Sequence, residues 1–290
     1  MAVQTSTTGN LQNMSRIMLA QARYTEEHNA PMVGLIEQFN LGKGEYKLEI
    51  PKVAQMDAED LAEGQDMIDS EDIDVSTVTA TTAEVGLKVI ITDTLLRQNN
   101  EDVYKIIGRQ MGDAMARKKD NDIIALFPSL NGGTPLGADG ANLTLANASA
   151  LIANAKSGKF GNDLFVVHHP NAIWKLATDI GNTLATYPLP DAFNKPAVKD
   201  YYSGVKLSGV PFFEDGNIAK IGTTDSGYGV IADKTAMGHL SASGRSEERE
   251  RDASLRAYEV VVTEDYAVFE VDDTRGASGR YEIGDPTTSA

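Results

Sequence analysis

The sequence predicts an α+β fold, and three observations carry that reading. One proline-free stretch, NNEDVYKIIGRQMGDAMARKKDNDIIALF, spans a single long helix from Asn99 to Phe127. Two strand-patterned stretches, EYKLEIPKV and VSTVTATTAEVGLKVIITDTLL, flank an acidic insertion. The second half then mixes short apolar strands with two helical segments rather than repeating one unit.

The chain has 290 residues, 41% hydrophobic and 23% charged, a globular composition long enough for one elaborate domain or two modest ones. It contains no cysteine, which excludes disulfides, thiolate metal sites and thiol catalysis. The first fifteen residues, MAVQTSTTGNLQNMS, lack the basic and apolar regions of a secretory signal. No apolar run approaches the ~20 residues that cross a bilayer, so no membrane partner is expected. The Asn-X-Ser/Thr triplets at Asn13, Asn142 and Asn147 are therefore read as chance matches.

Residues 1–40 read as an arm. A short helix presents Met14, Ile17, Met18 and Ala22 on one side, and Pro31 and Gly34 then break the pattern. In EYKLEIPKV, Tyr46, Leu48 and Ile50 alternate with Lys47 and Glu49, and Pro51 suits a strand edge or end. The insertion that follows, Asp57 to Asp74, holds nine acidic residues and no basic one (Asp57, Glu59, Asp60, Glu63, Asp66, Asp69, Glu71, Asp72 and Asp74). It reads either as a solvated loop or as a docking surface for a basic patch on another chain. It lacks the ligand order and central glycine of a calcium-binding loop. After it, Val85, Leu87, Val89 and Ile91 alternate in a β-branched run, so two strands joined by an acidic excursion form a projecting hairpin. Such a hairpin is marginal alone and needs a neighbour.

Asn99 or Asn100 suits the N-cap of the long helix, with Glu101 and Asp102 in the first turn. Val103, Ile106, Ile107, Met111, Ala114 and Met115 form its apolar stripe. The stripe stops at RKKDND, Arg117 to Asp122, polar on every face, and resumes at Ile123. That turn is expected either to lie exposed along the subunit or to meet a neighbouring chain. Pro128 ends the helix.

The glycine-rich NGGTPLGADGANLT, residues 131–144, lacks the Gly-Lys-Ser/Thr ending of a phosphate-binding loop and reads as a connector. Residues 144–157 form a small helix. DLFVVHHPNAIWKLATD gives a buried strand, a turn at Pro170 and a helix bearing Trp174; VKLSGVPFFED and GYGVIADKTAM supply short strands. GRSEERERD follows, and then two strands, LRAYEVVVT and YAVFEV, joined by a turn at Glu264–Asp265. The tail carries one last short strand.

No catalytic constellation emerges. Of the four histidines, His28, His168, His169 and His239, only the adjacent pair follows an apolar strand where a catalytic loop could lie. Sequence neighbours on a strand point to opposite faces, so they cannot share one metal without distortion. No metalloprotease or nucleophile-elbow motif occurs. A soluble α/β enzyme using His168 or His169 is the alternative from a different class. No cofactor and no metal are expected.

The order of these elements resembles the Hong Kong 97-type major capsid proteins of tailed bacteriophages. The residues that carry the likeness are TAEVGLKVIITDTLLRQNNEDVYKIIGRQMGDAMARKKDNDIIALF, LFVVHHPNAIWKLATD, LSGVPFFED and ERERDASLRAYEVVVTEDYAVFEV. The resemblance implies an N-terminal arm at 1–40 and an extended loop, the β-hairpin, at 41–82. It implies a peripheral domain with the long spine helix at 83–130 and 236–273, and an axial domain at 131–235 and 274–290. By this likeness the chain would form the hexamers and pentamers of an icosahedral shell enclosing the double-stranded DNA of a tailed phage, in the virion after assembly in the host cytoplasm. Partners would be further copies of the chain, a separate scaffold protein, a portal and decoration proteins. An encapsulin-like compartment is the close alternative. The net charge of −16, from 26 basic and 42 acidic residues, fits a wall that contains DNA without sequence-specific grip. Candidates for inter-subunit contact are the nine acidic residues named above together with Arg109, Arg117, Lys118, Lys119, Arg245, Arg249 and Arg251.

Overall fold

The computed structural model describes residues 32–42, 44–53, 75–98, 103–186, 206–222 and 224–286. In chain order, a single helical turn α1 (Met32–Leu35) leads into β1 (Glu37–Asn40), β2 (Lys47–Val53), β3 (Val75–Thr81) and β4 (Ala83–Thr92). Helices α2 (Asp93–Gln98) and α3 (Val103–Ile124) follow, then a 3-10 turn at Phe127–Ser129 and the short β5 (Leu136–Gly137). Next come α4 (Leu145–Ser157), β6 (Leu164–His168), α5 (Pro170–Thr186), β7 (Lys206–Leu207), β8 (Val210–Glu214) and β9 (Ser226–Asp233). The chain finishes with β10 (Met237–Asp252), β11 (Ala257–Glu270) and β12 (Gly276–Glu282).

These strands make a four-stranded sheet, β1-β10-β11-β4, a six-stranded sheet, β5-β12-β9-β6-β8-β7, and the separate antiparallel pair β2-β3. The four-stranded sheet is built by alternation. Register places Val89 opposite Val260 and Leu87 opposite Val262, so Val85, Leu87, Val89 and Ile91 share one face with Val260 and Val262. Helix α3 closes that face with Ile107, Met111 and Met115, and α2 adds Leu95 and Leu96.

The polar turn of α3 does not simply leave the core. Lys119 lies four residues beyond Met115 on the same stripe, and Glu264 lies two beyond Val262 on the same face of β11. The two meet as an ion pair, and one step on, the Tyr266 hydroxyl donates to Asp122 at 2.8 Å. The apolar seam thus continues as polar rungs until Ile123 enters the larger core. On another side of the same turn Asp120 is completely buried. The expectation that this turn lies exposed along the subunit is corrected for Lys119 and Asp120, whose polar groups turn inward to specific partners. Lys118 remains half exposed.

The larger core joins both ends of the described chain, from Met32 to Ile283. Met32 and Ile36 from the segment around α1 pack with Ile123, Phe127 and Leu130 at the end of α3. All five residues of β6 are buried, because this strand is central and covered on both faces. Helix α4 contributes Ala148, Leu151, Ile152 and Ala155, and α5 contributes Ala172, Ile173 and Leu176. The α4 N-terminus is capped by Thr144, whose hydroxyl accepts the Asn147 N–H at 3.3 Å. The Asp179 carboxylate on α5 accepts the Leu145 N–H at 2.8 Å, so the two helices are tied at that end.

Four expectations change. The β-branched run is two strands: β3 pairs with β2 in the hairpin, while β4 pairs with β11, so Val85, Leu87, Val89 and Ile91 belong to the body and not to the projecting hairpin. Glu264–Asp265 is not a turn: the two expected strands are one continuous β11 from Ala257 to Glu270, because the Lys119 partner lets Glu264 stay inside. GRSEERERD is the far half of β10, paired with β11 as far as Asp252↔Ala257, and the reversal falls at residues 253–256. The end of the β-branched run is helical from Asp93, whose N–H donates to the Arg256 carbonyl at 2.8 Å. The N-cap asparagines, Asn99 and Asn100, lie outside the described residues.

Candidate inter-subunit surfaces and buried polar junctions

The β2-β3 pair keeps register over seven residues, from Lys47↔Thr81 to Val53↔Val75, and forms no part of either larger sheet. Its composition explains why it has little to bury: threonine, serine, lysine and glutamate take half of its positions, and only Ala80 of β3 is buried. Tyr46 and Val75 are among the most exposed large apolar residues of the chain. Its tie to the body includes Lys52, whose ammonium sits 2.5 Å from Asp272. A two-stranded ribbon of this kind is marginal in water unless another surface covers it.

Of the basic contact candidates, three have named partners inside the subunit. Lys118 pairs with Asp122 one turn along α3. Lys119 pairs with Glu264, and its ammonium lies 5.5 Å from the Tyr266 ring centre. Arg251 reaches Asp93 at 3.1 Å and the Tyr258 hydroxyl at 2.7 Å while remaining half exposed. Arg109, Arg117 and Arg249 also have partners within the chain. The side chain of Arg245 and the acidic run Asp57, Glu59, Asp60, Glu63, Asp66, Asp69, Glu71, Asp72 and Asp74 lie outside the described residues.

The polar rungs around Lys119 bind α3 to the sheet and to β1. The His239 ring stacks on Tyr266 at 5.7 Å and its Nδ1 lies 3.0 Å from Gln38 Oε1 on β1. Burial, with Lys119 nearby, pulls the His239 pKa down and favours the neutral imidazole. Burial and the hydrogen bond to Asp122 push the Tyr266 phenol up, so it remains a donor.

A second junction was not legible in the sequence. Asp120 on α3 accepts the Met32 N–H of α1 at 3.2 Å and the side-chain amide of Asn217 at 3.0 Å. Asp215, completely buried just after β8, accepts the Asn217 N–H at 2.8 Å, and its own N–H donates to the His168 carbonyl at 3.0 Å. No spacing in the sequence links positions 32, 120 and 215.

The histidine pair serves the backbone. His168 is buried, and desolvation lowers its pKa to about 3. Its Nδ1 accepts the His169 N–H at 2.9 Å. His169 Nδ1 accepts the Asn171 N–H at 3.2 Å, capping the first turn of α5 that begins at Pro170. A groove of about 470 Å³ is lined by Lys156, Lys159, Asn162, Leu164 and Val210 and contains no histidine or carboxylate. Among the described residues no group of three or more His, Asp or Glu could hold a metal ion, and no helix is long and apolar enough to cross a membrane.

Comparison with known proteins places this architecture. The family described as phage capsid protein matches residues 75–283. No curated protein sequence matches. Among solved structures, the chain is similar to the capsid of cyanophage Pam1, with 14% identity and a TM-score of 0.68 over 91% of this chain and 95% of that one. It is similar to a structure of Mycobacterium phage Adephagia, with 12% identity and a TM-score of 0.65 over 98% and 100% of the two chains. The holo-SrpI encapsulin complex from Synechococcus elongatus PCC 7942 gives 13% identity and a TM-score of 0.65 over the whole of both chains. With a family match that spans most of the sequence and a fold shared along nearly its full length, the chain belongs to the phage capsid protein family and has the Hong Kong 97-type capsid fold.

Proposed function

We propose that this chain is the major capsid protein of a tailed phage, a structural subunit that assembles into hexamers and pentamers of an icosahedral shell around double-stranded DNA. The observation that carries the reading is the β2-β3 ribbon, which joins neither larger sheet, on a subunit of capsid fold. A folded monomer gains little from a polar two-stranded ribbon, whereas a subunit in a shell gives it a neighbour to rest on. In this scheme residues 1–40 form the arm and 41–82 the extended loop. Residues 83–130 with 236–273 form the peripheral domain, and 131–235 with 274–290 the axial domain.

The charge distribution supports the same reading. An acidic chain encloses DNA without gripping it, since adhesion would need clustered Lys and Arg to displace counterions. Lys118 and Arg251, half exposed beside their internal partners, remain able to turn toward a neighbour's acidic run. Each exposed pair contributes ~0.2–1 kcal/mol, and a closed shell repeats it at every equivalent edge. A scaffold protein during assembly, a portal and decoration proteins complete the partners, with the virion as final location after assembly in the host cytoplasm.

The encapsulin likeness supports a second reading, a compartment that holds protein cargo. Nuclease treatment of particles from the native source separates the two. Genome-length protected DNA supports the phage shell; particles without protected DNA but with a co-purifying protein support the compartment.

A further inference from the structure

Asp120 and Asp215 are both completely buried and belong to elements far apart in sequence. Asp120 uses both oxygens, one on the Met32 N–H and one on the Asn217 side chain. Asp215 uses Oδ1 on the Asn217 N–H, and its Oδ2 is buried with no ordinary donor. A fully buried carboxylate oxygen without a donor is costly, and two carboxylates that both flank Asn217 and act on each other add repulsion. One proton removes both difficulties: Asp215 Oδ2 then carries the hydrogen and donates it to Asp120. We propose that Asp120 and Asp215 share one proton, and that this proton is the clasp holding α1 and the loop after β8 against the spine helix α3.

The surroundings leave the proton to these two groups. On α3, Lys119 is committed to Glu264 and Asn121 is exposed. On β8, Glu214 is exposed; on β6, His168 offers only its carbonyl and its imidazole is neutral. Helix α1, Met-Val-Gly-Leu, has no titratable side chain. Burial first, and then the contact with Asp120, push the Asp215 carboxyl from its ordinary 3.8 up to about 7.

The sign follows from that direction. A carboxyl raised in the folded state contributes stability that is complete below its ordinary value and is lost as pH rises through the folded value. The clasp therefore weakens progressively as pH rises from the ordinary value to about 7 and changes no further above it. Opening frees the Met32 N–H and loosens α1 from the spine while the apolar contacts of Met32 and Ile36 remain. Shell formation is not required for this behaviour, so its failure would leave the capsid assignment intact.

The test is hydrogen exchange by mass spectrometry on the full-length protein from pH 5.5 to 8.5, corrected for intrinsic exchange. Peptides covering Met32 and Asn217 are followed in wild type, Asp215→Asn and Asp120→Asn. In wild type, protection in both should fall by up to roughly tenfold per pH unit between pH 5.5 and about 7 and level off above it. Asp215→Asn, whose amide donates to Asp120 without titrating, should stay flat. If that variant does not fold, Asp120→Asn serves instead: it removes the neighbouring charge and should shift the loss to lower pH. A flat wild-type profile, an unchanged slope in the variants, or a slope abolished by millimolar calcium, which would mean a bound cation in place of the proton, overturns the proposal.

Discussion

Lys118 and Lys119 are adjacent on α3, yet the structure gives them opposite energetic weight. Lys118 and its partner Asp122 keep 51% and 28% of their side-chain surfaces exposed, whereas Lys119 and Glu264 keep 18% and 8%. A solvated i,i+4 pair contributes about 0.3–0.5 kcal/mol, so Lys118→Ala should barely move the unfolding midpoint. Lys119→Ala strands a carboxylate between α3 and β11, and breaking a buried pair from one side costs about 3–5 kcal/mol. That is a large share of the ~5–15 kcal/mol that typically holds a domain together. Replacing both partners, Lys119→Met with Glu264→Leu, removes the desolvation problem and should recover most of the loss. Urea unfolding of the purified, unassembled chain, followed by far-ultraviolet circular dichroism, measures all three variants. Equal midpoints for Lys118→Ala and Lys119→Ala, or a double variant as unstable as Lys119→Ala, would refute the reading of Lys119 as a buried anchor.

Other substitutions probe neighbouring parts of the account. Gly229→Ala places a Cβ 2.6 Å from the Val167 carbonyl oxygen and 2.8 Å from His168 Cγ; it should destabilise by ~1–3 kcal/mol or more in a thermal melt, and a neutral result would mean that the centre of the six-stranded sheet is looser than described. His169→Ala removes the side-chain acceptor at the start of α5 and should lower stability by ~0.5–2 kcal/mol without preventing particle formation. A chemical activity abolished by that change at intact stability would revive the enzyme reading. Arg251→Glu puts a carboxylate beside Asp93 on the exposed end of β10; assembly yield by gradient sedimentation should fall, and an unchanged yield would remove Arg251 from the edge contacts.

The elements visible in the sequence are those in which one residue pattern fixes the outcome. Alternation through Val85, Leu87, Val89 and Ile91 specifies β4, and the stripe ending in Met111 and Met115 specifies α3, because each side chain meets an apolar partner. The pattern misleads where a polar residue is buried with a partner remote in sequence. Glu264–Asp265 reads as a turn until Lys119, 145 positions earlier, is seen to neutralise Glu264. GRSEERERD offers no apolar alternation, yet it pairs with β11 because backbone hydrogen bonding does not need it. The Asp120–Asp215 junction has no local signature, since it exists only where three distant segments cross. Inter-subunit pairing is a property of two chains, and the residues of one chain restrict it without fixing it.

Electron microscopy of the expressed chain, alone and co-expressed with the other assembly proteins of its native source, tests the central claim most directly. The account predicts closed shells with pentameric and hexameric capsomers, in which density for the β2-β3 ribbon lies against a neighbouring subunit. Small uniform oligomers under both conditions, with the ribbon folded back on its own subunit, would contradict it.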